Sequence, residues 1–259
     1  MKAQILFALA LFPLASLATT PTARAALIEG TKKADVLIGG DDDNVDNPLV
    51  QPAGTVANQS LDNADVLLGD LGNDIIVGLR GSDTLHGGPG RDILIGGLEG
   101  GTTGTKSDIV FGDEGNDINI WAGGDGSDAF LGGPGRDALV MANVDRNGLE
   151  PILSDPVAGF PNGLPTANAS GQNGFCTLER IPDGDRFGYA FLVRFFSKAA
   201  GNALLATVRV DAEVEQVFCT RQDAASITFA DLTETDPQFA EVTLDDVDRL
   251  NHTVAQIIR

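Results

Sequence analysis

A nine-residue pattern recurs between about residues 34 and 140, and it restricts the possible folds more than any other feature of the chain. Each unit has glycine at its fourth position and aspartate at its sixth, and most have a large apolar residue at the eighth. Six units keep the glycine and the aspartate at this spacing, beginning at Gly69, Gly78, Gly87, Gly112, Gly123 and Gly132. A fixed short period is typical of solenoids, in which neighbouring units stack.

The apolar positions predict a core for this solenoid. They form the middle of a three-residue strand after each aspartate, and side chains alternate along a strand, so the middle residue points inward. These residues are Ile76, Leu85, Leu94, Phe130 and Leu139. The alternative is a disordered acidic tail, as low-complexity acidic chains often are. Such a tail has no reason to keep an apolar residue at a constant offset from each aspartate, which favours the solenoid.

The units resemble the RTX (haemolysin-type) calcium-binding repeat, G-G-x-G-x-D-x-U-x, over about 100 residues. The resemblance implies a parallel β-roll in which two units make one turn, with Asp74 and Asp92 on one side and Asp83 on the other. It also implies several Ca²⁺ ions, each between successive half-turns of one side. The candidate metal residues are Asp65, Asp74, Asp83, Asp92, Asp117, Asp128, Asp137, Gly72, Gly81, Gly90, Gly115, Gly126 and Gly135.

The chemistry of the repeat agrees with this resemblance. Ca²⁺ takes six to eight oxygen ligands, and each half-turn offers peptide carbonyls and one carboxylate. Glycine allows the positive φ angles that curl a backbone closely around an ion. Facing carboxylates repel one another without metal, so we expect folding to be coupled to calcium binding. With a Kd of about 10⁻⁴ to 10⁻³ M, typical of extracellular calcium modules, the roll would fold outside the cell.

Several units depart from the pattern. Asp35 and Asp108 have Lys33 and Lys106 where glycine belongs, and a lysine beside a cation is unfavourable, so we set both aspartates aside as ligands. In the unit of Asp117 the inward position is Asn119. Two extra residues, Trp121 and Ala122, follow that strand, which predicts a bulge or a slipped register there.

The N-terminal segment predicts export. A charged start at Lys2, an apolar run and the sequence Ala23-Arg24-Ala25 are typical of a signal peptide, although a terminal helix or membrane anchor is the alternative. The apolar run is short for a membrane span, which needs about 20 residues. We expect a location at the bacterial exterior or in the periplasm.

The net charge of the chain is −20, and loss of Lys2 and Arg24 would make it −22. This charge disfavours nucleic acid and anionic membranes as partners. A bound cation would relieve the self-repulsion, or the acids simply face water. No particular protein or polysaccharide partner is indicated.

The sequence after Met141 differs in character, and it predicts a mainly β chain whose roll is followed by a small α+β region. Cys176 and Cys219 predict a disulfide, with two buried free thiols as the alternative. Strand-like segments lie at 187–196, 203–218 and 226–232, and we expect a small antiparallel sheet whose ends the disulfide joins. A helix begins after Thr243, which with Asp246 predicts a capping box. Its apolar face packs on the sheet or, alternatively, serves as a secretion signal.

The domain organisation predicted from these features is a signal peptide at 1–25, a β-roll at 26–142, a linker at 143–174 and a C-terminal α+β domain at 175–259. Two insertions interrupt the roll, near 41–63 and 98–106. Insertions in solenoids generally loop out from one edge.

The chain carries no catalytic motif of the classes that we sought. It lacks H-E-x-x-H and G-x-S-x-G, which argues against the metalloprotease and lipase classes. His86 and His252 are interpreted as surface residues, and Asp183 and Asp185 as parts of a turn. Three hypotheses follow: a calcium-binding structural or adhesive protein of the cell exterior, an extracellular hydrolase or lyase with a site in the C-terminal region, and an aid to secretion. The first accounts for most of the sequence.

Overall fold

The computed structural model describes residues 27–39, 55–57, 64–98, 107–121, 125–141, 153, 157, 160, 163–164, 174–182, 185–197, 200–220 and 227–258. The predicted signal segment and most of both predicted insertions lie outside these residues, as do most of the predicted linker, Lys106, Ala122 and Asp183.

Two sheets face each other along the repeat region, and successive units contribute strands to them alternately. The first five strands of sheet 1 are β1 (Leu27–Glu29), β4 (Val66–Leu68), β6 (Thr84–His86), β8 (Ile109–Phe111) and β10 (Ala129–Leu131). Sheet 2 contains β2 (Val36–Ile38), β3 (Thr55–Ala57), β5 (Ile75–Arg80), β7 (Ile93–Leu98), β9 (Ile118–Ile120) and β11 (Asp137–Met141). All neighbouring strands in these two sets are parallel. The predicted mainly β architecture with a parallel roll is confirmed.

The middle residues of the strands form the core between the two sheets. Leu67, Leu85, Val110 and Phe130 are in register across sheet 1 and are almost completely buried. In sheet 2 the corresponding column is Leu37, Ile76, Leu94, Asn119 and Leu139. The inward orientation predicted for Ile76, Leu85, Leu94, Phe130 and Leu139 is therefore confirmed.

The strand that contains Asn119 keeps the regular register of the roll. Asn119 lies opposite both Leu94 and Leu139, so β9 keeps the regular alignment on both sides and the predicted slip does not occur within the strand. The Trp121 N–H donates to the carbonyl of Val140, which carries the alignment one residue further. Ala122, the second of the two extra residues, lies outside the described residues, so a bulge after Trp121 stays a prediction.

The C-terminal strands extend the two sheets of the roll, and this corrects the expectation of a separate small sheet. Sheet 1 continues with β14 (Ala203–Asp211), β13 (Tyr189–Ser197) and β12 (Gly174–Arg180), while sheet 2 continues with β15 (Val214–Thr220), β16 (Ile227–Asp231) and β17 (Ala240–Glu241). β14 pairs with β10 and β15 with β11, both in parallel, and the outer strands are antiparallel. The segment read from sequence as one strand at 203–218 is two strands, because its turn crosses from sheet 1 to sheet 2.

The disulfide between Cys176 and Cys219 is present, as predicted, with the Cα atoms 6.1 Å apart. It joins β12 to β15, so it connects the two sheets across the core and does not join the ends of one sheet. Trp121 and Phe195 belong to this core, with ring centroids 5.2 Å apart.

The terminal helix α1 (Leu244–Ile257) begins with the predicted capping box between Thr243 and Asp246. Leu250, Val254 and Ile257 belong to one buried cluster with the outward-facing side chains of sheet 2, including Ile75, Ile93 and Ile118. The helix thus covers the outer face of the roll itself. It is the one helix among the described residues, and it is too short to cross a bilayer.

Candidate metal centre

The aspartates of the repeat lie in two columns of stacked turns, one along each edge of the roll. In the first column the turns lead from sheet 1 to sheet 2, and their aspartates are Asp35, Asp74, Asp92, Asp117 and Asp137. In the second column the turns lead back to sheet 1, and the aspartates are Asp65, Asp83, Asp108 and Asp128. All nine are at most 5% exposed, although aspartate is seldom buried.

A regular hydrogen-bond ladder holds each aspartate of the first column. The backbone N–H of Asp74 donates to Asp92 Oδ1 at 2.7 Å, that of Asp92 to Asp117 Oδ1 at 2.8 Å, and that of Asp117 to Asp137 Oδ1 at 2.8 Å. The second column repeats this arrangement from Asp65 through Asp83 and Asp108 to Asp128. One carboxylate oxygen therefore fixes the neighbouring turn and orients the rest of the side chain.

The other carboxylate oxygen in the first column is buried without a protein partner. Oδ2 of Asp74, Asp92, Asp117 and Asp137 has no hydrogen bond and almost no exposed surface. A buried charged oxygen left unpaired costs several kcal/mol, and buried charges in proteins are normally paired or bound to a metal. Four such oxygens at equivalent positions indicate that a ligand from outside the chain completes them.

Peptide carbonyl oxygens of the next turn lie close to these unpaired carboxylate oxygens. A Cβ placed on Gly69 would lie 2.2 Å from the carbonyl oxygen of Gly87 and 2.7 Å from Asp74 Oδ2. The same convergence recurs at Gly87, where a Cβ would lie 2.5 Å from Asp92 Oδ2 and 2.6 Å from the carbonyl oxygen of Gly112. Glycine is required here because the stacked backbones and the carboxylate share the space that a side chain would fill.

This donor set suits a hard cation. In the part of the chain that the structure describes, no three His, Cys, Asp or Glu side chains converge into a metal site made of side chains alone. The donors are carboxylate and carbonyl oxygens from neighbouring turns, which is the ligand chemistry of Ca²⁺. The residues present therefore fit calcium, and no soft or nitrogen ligand favours a transition metal.

The electrostatics of the columns also favour a cation. Burial raises the pKa of Asp74 to about 7, of Asp92 and Asp137 to about 8 and of Asp117 to about 9, with neighbouring carboxylates adding to the effect. In the second column burial and the charge of Asp128 raise the pKa of Asp108 to about 8. Without a cation, the ionised columns are thus unfavourable at neutral pH.

The structure brings together the predicted aspartates Asp65, Asp74, Asp83, Asp92, Asp117, Asp128 and Asp137 in the two columns. Among the predicted glycines, Gly72, Gly90, Gly115 and Gly135 form a continuous stack of parallel bridges in the first column. Gly81 and Gly126 lie in turns of the second column, and the Gly126 carbonyl accepts a hydrogen bond from Trp121 Nε1 at 3.2 Å. The role of these thirteen residues as ligands stays a prediction.

Asp35 and Asp108, which the sequence interpretation set aside, occupy regular places in the columns. The Asp35 N–H donates to Asp74 Oδ1 at 2.7 Å, and the Asp108 carboxylate accepts from the Asp83 N–H at the same distance. Lys33 is tolerated because its backbone faces the next turn, with its carbonyl near Gly72, while the residue as a whole is exposed. Lys33 therefore does not keep Asp35 out of the column, because the fourth position contributes backbone to the stack. The exclusion of Asp35 and Asp108 as metal ligands stays a prediction.

Two acidic residues outside the repeat also join the first column. Glu215 Oε2 accepts the N–H of Asp137 at 2.7 Å, and Asp211 Oδ1 accepts that of Gly132 at 3.2 Å. Neither residue fits the nine-residue pattern, so the sequence repeat does not reveal them. The segment from Asp211 to Glu215 contains no glycine, and it is one residue shorter than the stretch from the first glycine to the aspartate of a repeat unit.

The residues considered for catalysis lie apart from one another. His86 stacks on Phe111 with centroids 4.4 Å apart and contacts Asp113 at 3.1 Å, while His252 contacts Gln256 on the exposed side of α1. Asp185 Oδ2 accepts the N–H groups of Phe187 and Tyr189 at 3.0 Å, as in an ordinary turn.

Comparison with known proteins agrees with this geometry. The family model of the RTX calcium-binding nonapeptide repeat matches four segments, at residues 22–45, 62–100, 102–118 and 122–139. Neither the curated proteins nor the solved structures gave a significant match. Repeat spacing, stacked aspartate columns and the family match together identify the repeat region, within residues 22–139, as an RTX calcium-binding β-roll.

Proposed function

We propose that this is a secreted protein whose roll folds around several Ca²⁺ ions at the cell exterior and serves there as a rigid structural or adhesive element. The observation that carries the proposal is the set of buried Oδ2 atoms of Asp74, Asp92, Asp117 and Asp137, which have no hydrogen-bond partner in the protein. A Ca²⁺ ion between successive turns would bind these oxygens together with first-position carbonyls, such as that of Gly87.

Two further features support an exterior location. The disulfide between Cys176 and Cys219 is of the kind that persists in oxidising compartments. The N-terminal sequence has the signal-peptide pattern, and calcium outside cells reaches the concentration that such modules need.

The arrangement of the C-terminal strands favours a structural role over a detachable secretion aid. β14 and β15 pair directly with the last strands of the roll, so both regions share two sheets and one core. A secretion aid would leave a C-terminal half that folds equally well without the repeats.

The proposal is tested by adding calcium to the chain from Ala26 onward while recording far-ultraviolet circular dichroism, with isothermal calorimetry to count ions. We expect a cooperative gain of β signal at sub-millimolar to millimolar calcium that a chelator reverses. Equal spectra with calcium and with chelator, and no heat of binding, would overturn it.

A matched pair of variants assigns the binding to the columns. Asp117→Asn keeps an oxygen for the Asp92 N–H but removes the charge, so we expect the calcium midpoint to rise about tenfold or more. Asp236→Asn removes the same charge from an exposed residue and should leave the midpoint unchanged. Equal midpoints in the two variants would contradict the assignment.

A further inference from the structure

The first column does not end with the last repeat, because the turn between β14 and β15 stacks on it. Only Ala212 and Glu213 separate these two strands, and the turn crosses from sheet 1 to sheet 2 as each repeat turn of this column does. It is shorter than a repeat turn and contains no glycine.

Glu215 takes the place of the next aspartate in the ladder. Its Oε2 accepts the N–H of Asp137 at 2.7 Å, just as Asp137 Oδ1 accepts the N–H of Asp117 at 2.8 Å. Glutamate is one methylene longer than aspartate. This extra length suits a turn that is shorter than a repeat turn, since β15 already begins at Val214. Glu215 is half-buried, and its Oε2 is the oxygen that meets the first column.

Asp211, at the start of the same turn, accepts hydrogen bonds through its side chain. In the preceding layer the N–H of Gly112 donates to the carbonyl of Leu131, whereas the N–H of Gly132 donates to Asp211 Oδ1. The same oxygen accepts the N–H of Glu213 at 3.2 Å, which fixes the turn geometry.

An independent observation points to a ligand between these two layers. Asp137 Oδ2 is completely buried, has no hydrogen-bond partner, and lies beside Gly132, where a Cβ would be 2.5 Å away. Gly132 belongs to the last turn of the repeat, and the layer that follows it is the β14–β15 turn, where Glu215 stands in place of a further aspartate.

We propose that the β14–β15 turn closes an additional Ca²⁺ site at the C-terminal end of the first column, with Asp137 and Glu215 as its carboxylate ligands and Asp211 as the residue that positions the turn. This inference rests on the proposed calcium-binding function of the roll. The ion at this site joins a repeat turn to the C-terminal strands, so calcium occupancy orders the junction between them.

The test compares Glu215→Gln with Glu213→Gln in the full chain, using calorimetry and equilibrium dialysis with calcium alone. Glutamine keeps the carbonyl oxygen that accepts the Asp137 N–H, so the ladder survives while the charged ligand is lost. We expect Glu215→Gln to bind one ion fewer than the unaltered protein. Glu213 lies in the same turn but is exposed, so Glu213→Gln should bind the full number.

The outcomes separate this inference from the proposed function. If Glu215→Gln binds as many ions as the unaltered protein, with the same affinities, the additional site does not exist although the roll still binds calcium. If the unaltered protein binds no calcium, the proposed function itself is overturned.

If Glu215→Gln does not fold at any calcium concentration, Glu215→Asp decides the question. This variant keeps the charge but shortens the reach by one methylene. Weaker binding of one ion supports the site, and an unchanged isotherm overturns it.

Discussion

At the scale of single residues, each column of the roll depends on aspartates that perform two tasks with two oxygens. One oxygen accepts a neighbouring N–H, and in the first column the other is buried without a protein partner. The hydrogen bond holds the carboxylate in position in the absence of an ion, so the site is preorganised. The free-energy cost of burying the unpaired oxygen remains. If calcium binds as proposed, the same carboxylates destabilise the metal-free roll and act as ligands of the metal.

This arrangement predicts a pH dependence for the calcium-free protein. The pKa of Asp74, Asp92, Asp117 and Asp137 lies at about 7 to 9 in the folded state, against 3.8 in the unfolded chain. Between these values the folded state binds more protons, so its free energy of unfolding falls as the pH rises from about 4 to about 8. In chelator, the far-ultraviolet β signal should be larger near pH 5 than near pH 8, and calcium affinity should rise over the same range. A signal that grows with pH in chelator would contradict this.

A second prediction at this scale concerns the close stacking of turns. Gly88 has a φ of +87°, and a Cβ there would lie 2.0 Å from the carbonyl oxygen of Asp70. Gly188 has nearly the same φ, +84°, but nothing within 4 Å of its Cβ position. Gly188→Ala should cost about 1 kcal/mol from backbone strain alone, and Gly88→Ala about 3 kcal/mol. Urea unfolding in saturating calcium measures both, and equal costs would mean that the stacked turns yield to the added atom.

At the scale of elements, the nine-stranded sheet has apolar side chains on both faces, and the helix α1 covers its outer face together with Leu153 and Leu164. The outward residues of its strands, such as Ile75, Ile93 and Ile118, join Leu250, Val254 and Ile257 of α1 in one cluster. Asn73 Nδ2 also donates to the carbonyl of Gln256 at 3.3 Å, which attaches the end of the helix to a first-column turn. The helix thus stabilises the roll from outside, in addition to the core between the sheets.

Truncation of this helix contact should weaken the roll. Leu250→Ala removes a buried side chain and should lower the free energy of unfolding in calcium by about 2 to 4 kcal/mol. Leu244→Ala in the first turn of the same helix is the control, because Leu244 is 64% exposed and its loss should cost less than about 0.5 kcal/mol. The same small loss for both variants in urea titrations would show that α1 does not cover the sheet in solution.

At the scale of the whole molecule, the roll and the C-terminal strands form two continuous sheets that the disulfide links to each other. Stacked repeats fold cooperatively because each unit is stabilised by its contacts with the neighbouring units. At the C-terminal end of the roll these neighbours are β14 and β15. We therefore expect calcium binding in the columns to be coupled to order in the C-terminal region.

Trp121 reports this coupling, because it is the single tryptophan of the chain and lies at the junction. It is buried against Phe195 of β13, although it follows a strand of the roll. We expect its fluorescence and the far-ultraviolet circular dichroism to change at the same calcium concentration, as one transition. Two separate midpoints would show that the C-terminal strands fold independently of the roll.

The amino-acid sequence by itself determined the periodic part of this protein. Each nonapeptide carries its own turn, strand and inward apolar residue, so the alternation of strands, the core positions from Ile76 to Leu139 and the alignment of Asp74 with Asp92 follow from local chemistry repeated at a constant interval. The disulfide was predictable because the chain has two cysteines and the sequence pattern of an exported protein. The capping box was predictable because it depends on two residues three positions apart, Thr243 and Asp246.

The tertiary structure alone decided the features that depend on which edges meet. The parallel pairing of β14 with β10 and β15 with β11, the place of α1 on the roll and the extension of the ladder to Glu215 join residues far apart in the chain. Edge pairing and burial depend on the surface that the remainder of the chain leaves uncovered, and no local pattern encodes that surface. The unit of Asp35 illustrates this limit of the sequence for a single position. Only the stacked backbone shows that Lys33 fits at the fourth position, which is glycine in the regular units.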